Sequence, residues 1–276
     1  MIVNKLLPFI IACSILSVSA NAQKTSARKQ KIADRKERIN QLIKQEEEGA
    51  LIFNKQKAFG LKLNTDGFSF FYEKGKYKTI TKTNIWWLEL GEKKDVKQIK
   101  EPPFSQSGGG GIIIVFGNEY AYGKRNNFYQ FKLGFGKQRL IGGKGNKNGV
   151  AVSAVYGAGL VGGILKPYYL QIADNANQTK DIKYEGNETL FLDPSVILGA
   201  SGFTKGLALN ELTVVPGTQL RGALRFDYGR YNELLSAIEV GLNLEYYTQK
   251  IPIMAIGKER NLFFNAYINL LFGKRK

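Results

Sequence analysis

Glu239 and Glu245 stand six residues apart in "AIEVGLNLEYY", and Asp227 precedes them in "ALRFDYG". In an extended chain, residues an even number apart share a face. The two glutamates therefore fall on one side of a strand, with Asp227 on the strand before. Carboxylates gathered in this way could serve as a general acid–base pair acting on a lipid or glycan. Arg221 and Arg225 share the face of Asp227, so the same groups can equally form salt bridges. That structural reading is preferred.

Other chemistry is sparse. The chain contains no histidine, hence no Ser–His pair, no imidazole base and no imidazole metal ligand. Outer-membrane phospholipases and lipid A-modifying barrels that depend on histidine are excluded. The one cysteine, Cys13, lies inside an apolar leader; its removal leaves no disulfide, thiolate ligand or thiol nucleophile. "SGGGGIII" and "GFGKQR" are glycine-rich but lack the Gly-Lys-Ser/Thr ending of a phosphate loop. No catalytic, cofactor or metal residue is assigned.

The elements that must position these side chains begin with the leader. "MIVNKLLPFIIACSILSVSANAQ" has a lysine, an apolar run from Leu6 to Val18 and Ala20-Asn21-Ala22, the pattern of a secretory signal peptide over residues 1–22. Residues 23–50 carry a narrow apolar stripe (Ile32, Ile39, Leu42, Ile43) among charges, which predicts a short helical arm on the periplasmic side.

From residue 51 the period changes to two. Phe59, Leu61 and Leu63 alternate with Gly60, Lys62 and Asn64; Asp66-Gly67 marks a hairpin; Phe68, Phe70 and Tyr72 alternate with Ser69, Phe71 and Glu73. Trp86, Leu88 and Leu90 oppose Glu89. Tyr129, Phe131, Leu133 and Phe135 oppose Lys132. Val150 to Leu160 alternates with small residues, and "PYYLQIA" is a further short strand. Leu220, Leu224 and Phe226 oppose Arg221, Arg225 and Asp227; Ile238 to Tyr246 oppose Glu239 and Glu245. In the closing "NLFFNAYINLLFGKRK", Phe264, Ala266, Ile268, Leu270 and Phe272 form one face.

One face of these strands holds whole charges and glycines, and the other is apolar with aromatic ends. A lipid-embedded barrel requires that inversion, and in lipid the sheet must close on itself. The predicted fold over 51–276 is an all-β, antiparallel transmembrane barrel of about ten strands, with eight or twelve also open. Ten requires both 112–123 and "PYYLQIA" to cross, with 164–166 a periplasmic turn and 142–148, 175–212 and 251–261 outer loops. Phe264, Ala266, Ile268, Leu270 and Phe272 face lipid. Lys62, Glu73, Glu89, Lys132, Arg221, Arg225, Asp227, Glu239 and Glu245 face the lumen, where opposite charges nearly balance. That balance predicts an internal salt-bridge network in a narrow bore, not a single-sign selectivity ring.

"FGLKLNTDGFSFFYEKGKYKT", "GILKPYYLQI", "KIPIMAI" and "INLLFGKRK" resemble segments of a group of Bacteroidetes outer-membrane barrel proteins of undetermined activity. The resemblance runs from about Phe59 to the C-terminus. It implies a porin-like barrel in the outer membrane and supplies no catalytic residues. The group usually ends in Trp, where this chain has Lys276.

The expected role is therefore non-enzymatic: a structural, docking or accessory part in envelope assembly or secretion. A small porin and a carboxylate-dependent hydrolase are the rivals. The chain has 40 Lys+Arg against 23 Asp+Glu, an excess read as spread over turns, loops and the N-terminal segment without a compact patch. Its expected partners are outer-membrane lipid, lipopolysaccharide and an envelope protein, and not nucleic acid.

Overall fold

A computed structural model describes residues 30–35, 37, 53–102, 105–107, 113–115, 118–144, 149–173, 178–229 and 233–276. The leader assigned to 1–22 lies outside these residues, as does most of 23–50; within that span 30–35 and 37 are helical and exposed.

The body, residues 53–276, is built on eight long strands: β1 (Lys55–Asn64), β2 (Gly67–Tyr77), β3 (Lys82–Lys93), β4 (Asn126–Gly142), β5 (Ala151–Pro167), β6 (Thr213–Asp227), β7 (Leu234–Ile251) and β8 (Arg260–Arg275). Each pairs antiparallel with its chain neighbours, and β1 pairs with β8, so the sheet closes into a barrel. The first and last strands zip along their length, from Gln56 opposite Arg275 to Asn64 opposite Tyr267. Closure leaves no unpaired edge.

Alternation explains both faces. Along β7, Ala237, Glu239, Gly241, Asn243, Glu245 and Tyr247 are buried while the residues between them are exposed. The outward set is strongly apolar: Phe264 is 68% exposed, Phe59 66%, Leu160 67% and Leu220 56%. Large apolar side chains turned outward all round a closed sheet, with ionised side chains at 0% exposure within it, invert the arrangement of a soluble barrel. A transmembrane strand needs about 9–11 residues. β4 through β8 are longer than that and extend past a bilayer.

Eight strands is one of the counts the periodicity left open, and the two additional crossings required for ten are not made. β5 runs unbroken for 17 residues through Lys166 to Pro167, so 164–166 is strand, not turn. Pro167, with no N–H to give to a ladder, is its last residue. The chain then leaves the barrel: Tyr169–Ala173 pairs with Thr179–Lys183 and Ile197–Ala200 in a separate three-stranded sheet. Tyr120–Ala121 pairs with Lys100–Glu101 in a separate two-stranded sheet. With both crossings gone, the sense of the earlier strands reverses. The connection between Gly142 and Ala151 joins 78–81, 228–233 and both barrel termini at one end, opposite the 168–212 and 252–259 connections with which the ten-strand reading grouped it. The 94–125, 168–212 and 252–259 connections emerge at the other end, with the tight 65–66 turn.

The small sheet carries its own core of Leu170, Ile172, Ile182, Phe191, Ile197 and Tyr120. Inside the barrel, Trp87 is fully buried among Phe71, Ile85, Val155, Leu235 and Leu271. Glycines make its space: a Cβ on Gly134 would lie 2.2 Å from the Trp87 ring, and one on Gly157 2.7 Å.

Candidate functional site

All nine predicted lumen residues lie inside the barrel, each at most 4% exposed. The fold gathers them into three groups, each stitched from several strands.

The first group centres on Glu89 and Glu245. On β3, Glu89 accepts from Lys62 Nζ of β1 at 2.9 Å, Lys132 Nζ of β4 at 3.0 Å and Ser69 Oγ of β2 at 2.8 Å. Lys132 also reaches Glu245 of β7 at 2.8 Å, and Lys93 bridges Glu245 at 2.9 Å and Asp66 at 2.8 Å. Tyr247 Oη donates to Glu245 at 3.1 Å.

The second group centres on Arg225. Its guanidinium makes paired bonds to Glu73 of β2, at 2.7 and 2.6 Å, and binds Glu239 of β7 through Nε at 2.9 Å and Nη2 at 2.7 Å. Arg221 pairs with Glu239 as well, donates through Nε to Tyr267 Oη at 2.8 Å, and lies over the Phe71 and Trp87 rings. Tyr267 donates in turn to Glu239 at 2.7 Å. Gln138 Oε1 accepts from Arg225 and from Gln56, each at 3.1 Å.

The third group, at the short-turn end, pairs Asp227 with Arg275 and with Lys144 at 3.5 Å.

Six residues separate Glu239 from Glu245 along β7, roughly 20 Å of extended chain. The two belong to different groups, and each is occupied by cations. Asp227 is in the third. The fold does not bring the three carboxylates together as the acid–base reading requires. They neutralise buried cations, which a low-dielectric interior demands.

Sequence reasoning named the charges but missed several partners. Lys93 sits four residues beyond Glu89 on the same parity, so continuing the alternation would have found it. Gln56, Gln138 and Tyr267 carry no charge to single them out. Asp66, Lys144 and Arg275 lie at strand ends, where periodicity stops informing.

The terminal strand presents Phe264, Ala266, Ile268, Leu270 and Phe272 outward, all exposed.

No protein-family model and no curated protein matches this chain. Among solved structures it is similar to the N-terminal β-barrel domain of Pseudomonas aeruginosa OprF, at 12% identity and TM-score 0.34 over 80% of this chain and 98% of that one. It is also similar to Ail, the attachment invasion locus protein of Yersinia pestis, at 8% identity and TM-score 0.34, covering 82% and 100%. Neisserial surface protein A gives 9% identity and TM-score 0.32, covering 80% and 92%.

Proposed function

We propose that the protein is an outer-membrane β-barrel closed to solutes, a membrane-anchored scaffold that docks a partner in the cell envelope through its capped end, the end from which the 94–125, 168–212 and 252–259 connections emerge with the small three-stranded sheet. The observation that carries this reading is the ion pairing between opposite walls. β2 and β6 are four places apart in a ring of eight, and Arg225 of β6 grips Glu73 of β2. β3 and β7 are likewise opposite, and Lys93 reaches Glu245. A bore crossed at two levels by fully buried ion pairs holds side chains where a porin holds water.

The outward apolar wall supports the lipid location, and the pattern of residues 1–22 supports export with 23–50 as a charged periplasmic arm. In this reading the short-turn end, with both barrel termini, faces the periplasm. The capped end faces outward, towards lipopolysaccharide or a protein partner. Its loops expose apolar side chains suited to docking: Val96 at 91%, Leu209 at 90%, Ile99 at 69% and Phe203 at 68%.

Single-channel recording on the purified, bilayer-reconstituted protein tests closure. The expected result is no steady conductance. A large, steady conductance replaces the scaffold with the porin. Fractionation of the native envelope tests location, with recovery in the outer-membrane fraction expected.

A further inference from the structure

The strand register collects into one patch positive charges that are scattered along the chain. At the short-turn end, the outward side chains of five consecutive strands are Lys274 on β8, Lys55 and Lys57 on β1, Lys74 and Lys76 on β2, Lys82 on β3, and Lys137 and Arg139 on β4. All are exposed except Lys74, which is half-buried. They oppose one another directly. Lys57 lies between Lys274 and Lys74, Lys55 is opposite Lys76, and Lys82 is opposite Arg139.

Like charges placed directly across a sheet repel. Among the described residues, the outward positions on these stretches hold no Asp or Glu, and none of the eight cations forms an ion pair. On β5, β6 and β7 the corresponding outward residues are apolar or small, including Val152, Ala154, Leu224, Phe226 and Ser236. The collar is therefore one-sided.

Two further features select the counter-charge. Further along β1, β2, β3, β4 and β8 towards the apolar band lie aromatic side chains. Phe59 and Tyr72 have ring centroids 4.8 Å apart, and Tyr72 and Trp86 5.6 Å; Phe272 pairs in register with Phe59, and Phe135 with Trp86. Such rings sit at the level of lipid head groups, with the basic side chains just beyond. The collar also contains a recess of about 350 Å³ lined by Lys78, Lys82, Lys137, Arg139, Asn84 and Tyr156, with no carboxylate among its lining residues.

We propose that this collar is a binding site for the phosphate groups of anionic phospholipids in the leaflet at the short-turn end, with the Lys82–Lys137–Arg139 recess seating one head group. Phosphate oxygens between opposed cations convert repulsion into charge-assisted hydrogen bonds. Arg139 can grip a phosphate with two prongs, and the lysines supply point charge. The site would hold a ring of anionic lipid against five of the eight strands and leave the other three free.

The inference rests on the bilayer reading, and the test separates the two. The full chain is reconstituted into phosphatidylcholine vesicles carrying a small fraction of spin-labelled phosphatidylglycerol or spin-labelled phosphatidylcholine. The motionally restricted fraction is read by electron paramagnetic resonance. Selectivity for phosphatidylglycerol of at least about fivefold, the attraction of one surface lysine, is expected. It should be lost in a Lys82→Gln, Lys137→Gln, Arg139→Gln variant whose folding is checked by heat-modifiable gel mobility. For wild type alone, whatever the variant does, selectivity should fall as salt rises and the Debye length contracts. Inorganic phosphate added at concentrations matching the lipid should not displace the label, because only a lipid is held at the interface; displacement would identify a soluble anion site and overturn the proposal. Insertion without selectivity, or selectivity retained by the folded variant, overturns the collar alone. Failure to insert overturns the bilayer reading and the collar with it.

Discussion

Arg225 and Glu73, 152 residues apart in sequence, meet in a two-pronged ion pair that spans the barrel from β6 to β2. Both are fully buried. Glu239, bonded to the same guanidinium from β7, ties a third strand to the pair, so one side chain fixes the separation of walls that no backbone hydrogen bond connects.

Removing that side chain takes from Glu73 its two-pronged partner and leaves Glu239 with Arg221 and Tyr267 alone. Arg225→Ala is expected to destabilise the barrel by about 3–5 kcal/mol, measured by urea titration of the protein folded into vesicles. Adding Glu73→Gln should recover part of the loss, because one stranded charge disappears. Conductance should stay low in both, since Arg221, Trp87 and the Glu89 group still occupy the lumen.

The outward face should punish charge. Ile268→Arg, on the lipid side of β8, is expected to cost about 2–4 kcal/mol near the midplane. Alternation alone predicts a milder cost for Asn269→Arg, on the opposite face. The structure changes that expectation: Asn269 is fully buried, and its side-chain oxygen lies 2.4 Å from where a Cβ on Gly60 would be. The cost there comes from overpacking, so Asn269→Ser should be tolerated, whereas Ile268→Ser still loses apolar contact with lipid. Urea titration of the four variants distinguishes the two origins.

Trp87 depends on the bare backbone of β4. Gly134→Ala puts a methyl group into its ring and should destabilise by about 1–3 kcal/mol. Combining it with Trp87→Leu should give less than the sum of the two single losses, since the smaller side chain vacates the contested space. A double-mutant cycle on unfolding midpoints measures this coupling.

Lys124, beyond the barrel strands in the cap, gives a pH signature. Burial lowers its pKa from 10.5 to about 8, opposed by the neighbouring Glu92 carboxylate; its ammonium lies 5.4 Å from the Tyr168 ring centroid. Between about 8 and 10.5 the unfolded chain keeps a proton that the folded protein has released, so this residue makes stability rise with pH across that window and adds no slope below it. Lys124→Met should remove that rise. The difference between wild-type and variant cap stability, followed by hydrogen exchange or proteolysis over the window, checks the sign.

Which face of each strand turns inside is legible from alternation alone. Period-two alternation in β1, β2, β3, β4, β6 and β7 puts the nine named charges on one face of their strands, the face the fold buries, because successive side chains must point to opposite sides whatever the sheet does later. It also pointed to a closed sheet, since charges on one face and large apolar and aromatic side chains on the other suit a barrel in lipid, and the fold closes. Strand number, pairing partners and the collar were decided by tertiary structure. "PYYLQIA" reads as a strand and is one; only its pairing with Thr179–Lys183 and Ile197–Ala200 removes it from the barrel. The eight cations at the short-turn end lie from position 55 to 274 and look scattered. They become one surface because register brings Lys274 beside Lys57, and Arg139 beside Lys82. Local sequence fixes the direction of a side chain, which depends only on its own backbone. The neighbour it meets depends on closure and stagger of the whole sheet, which only the folded barrel provides.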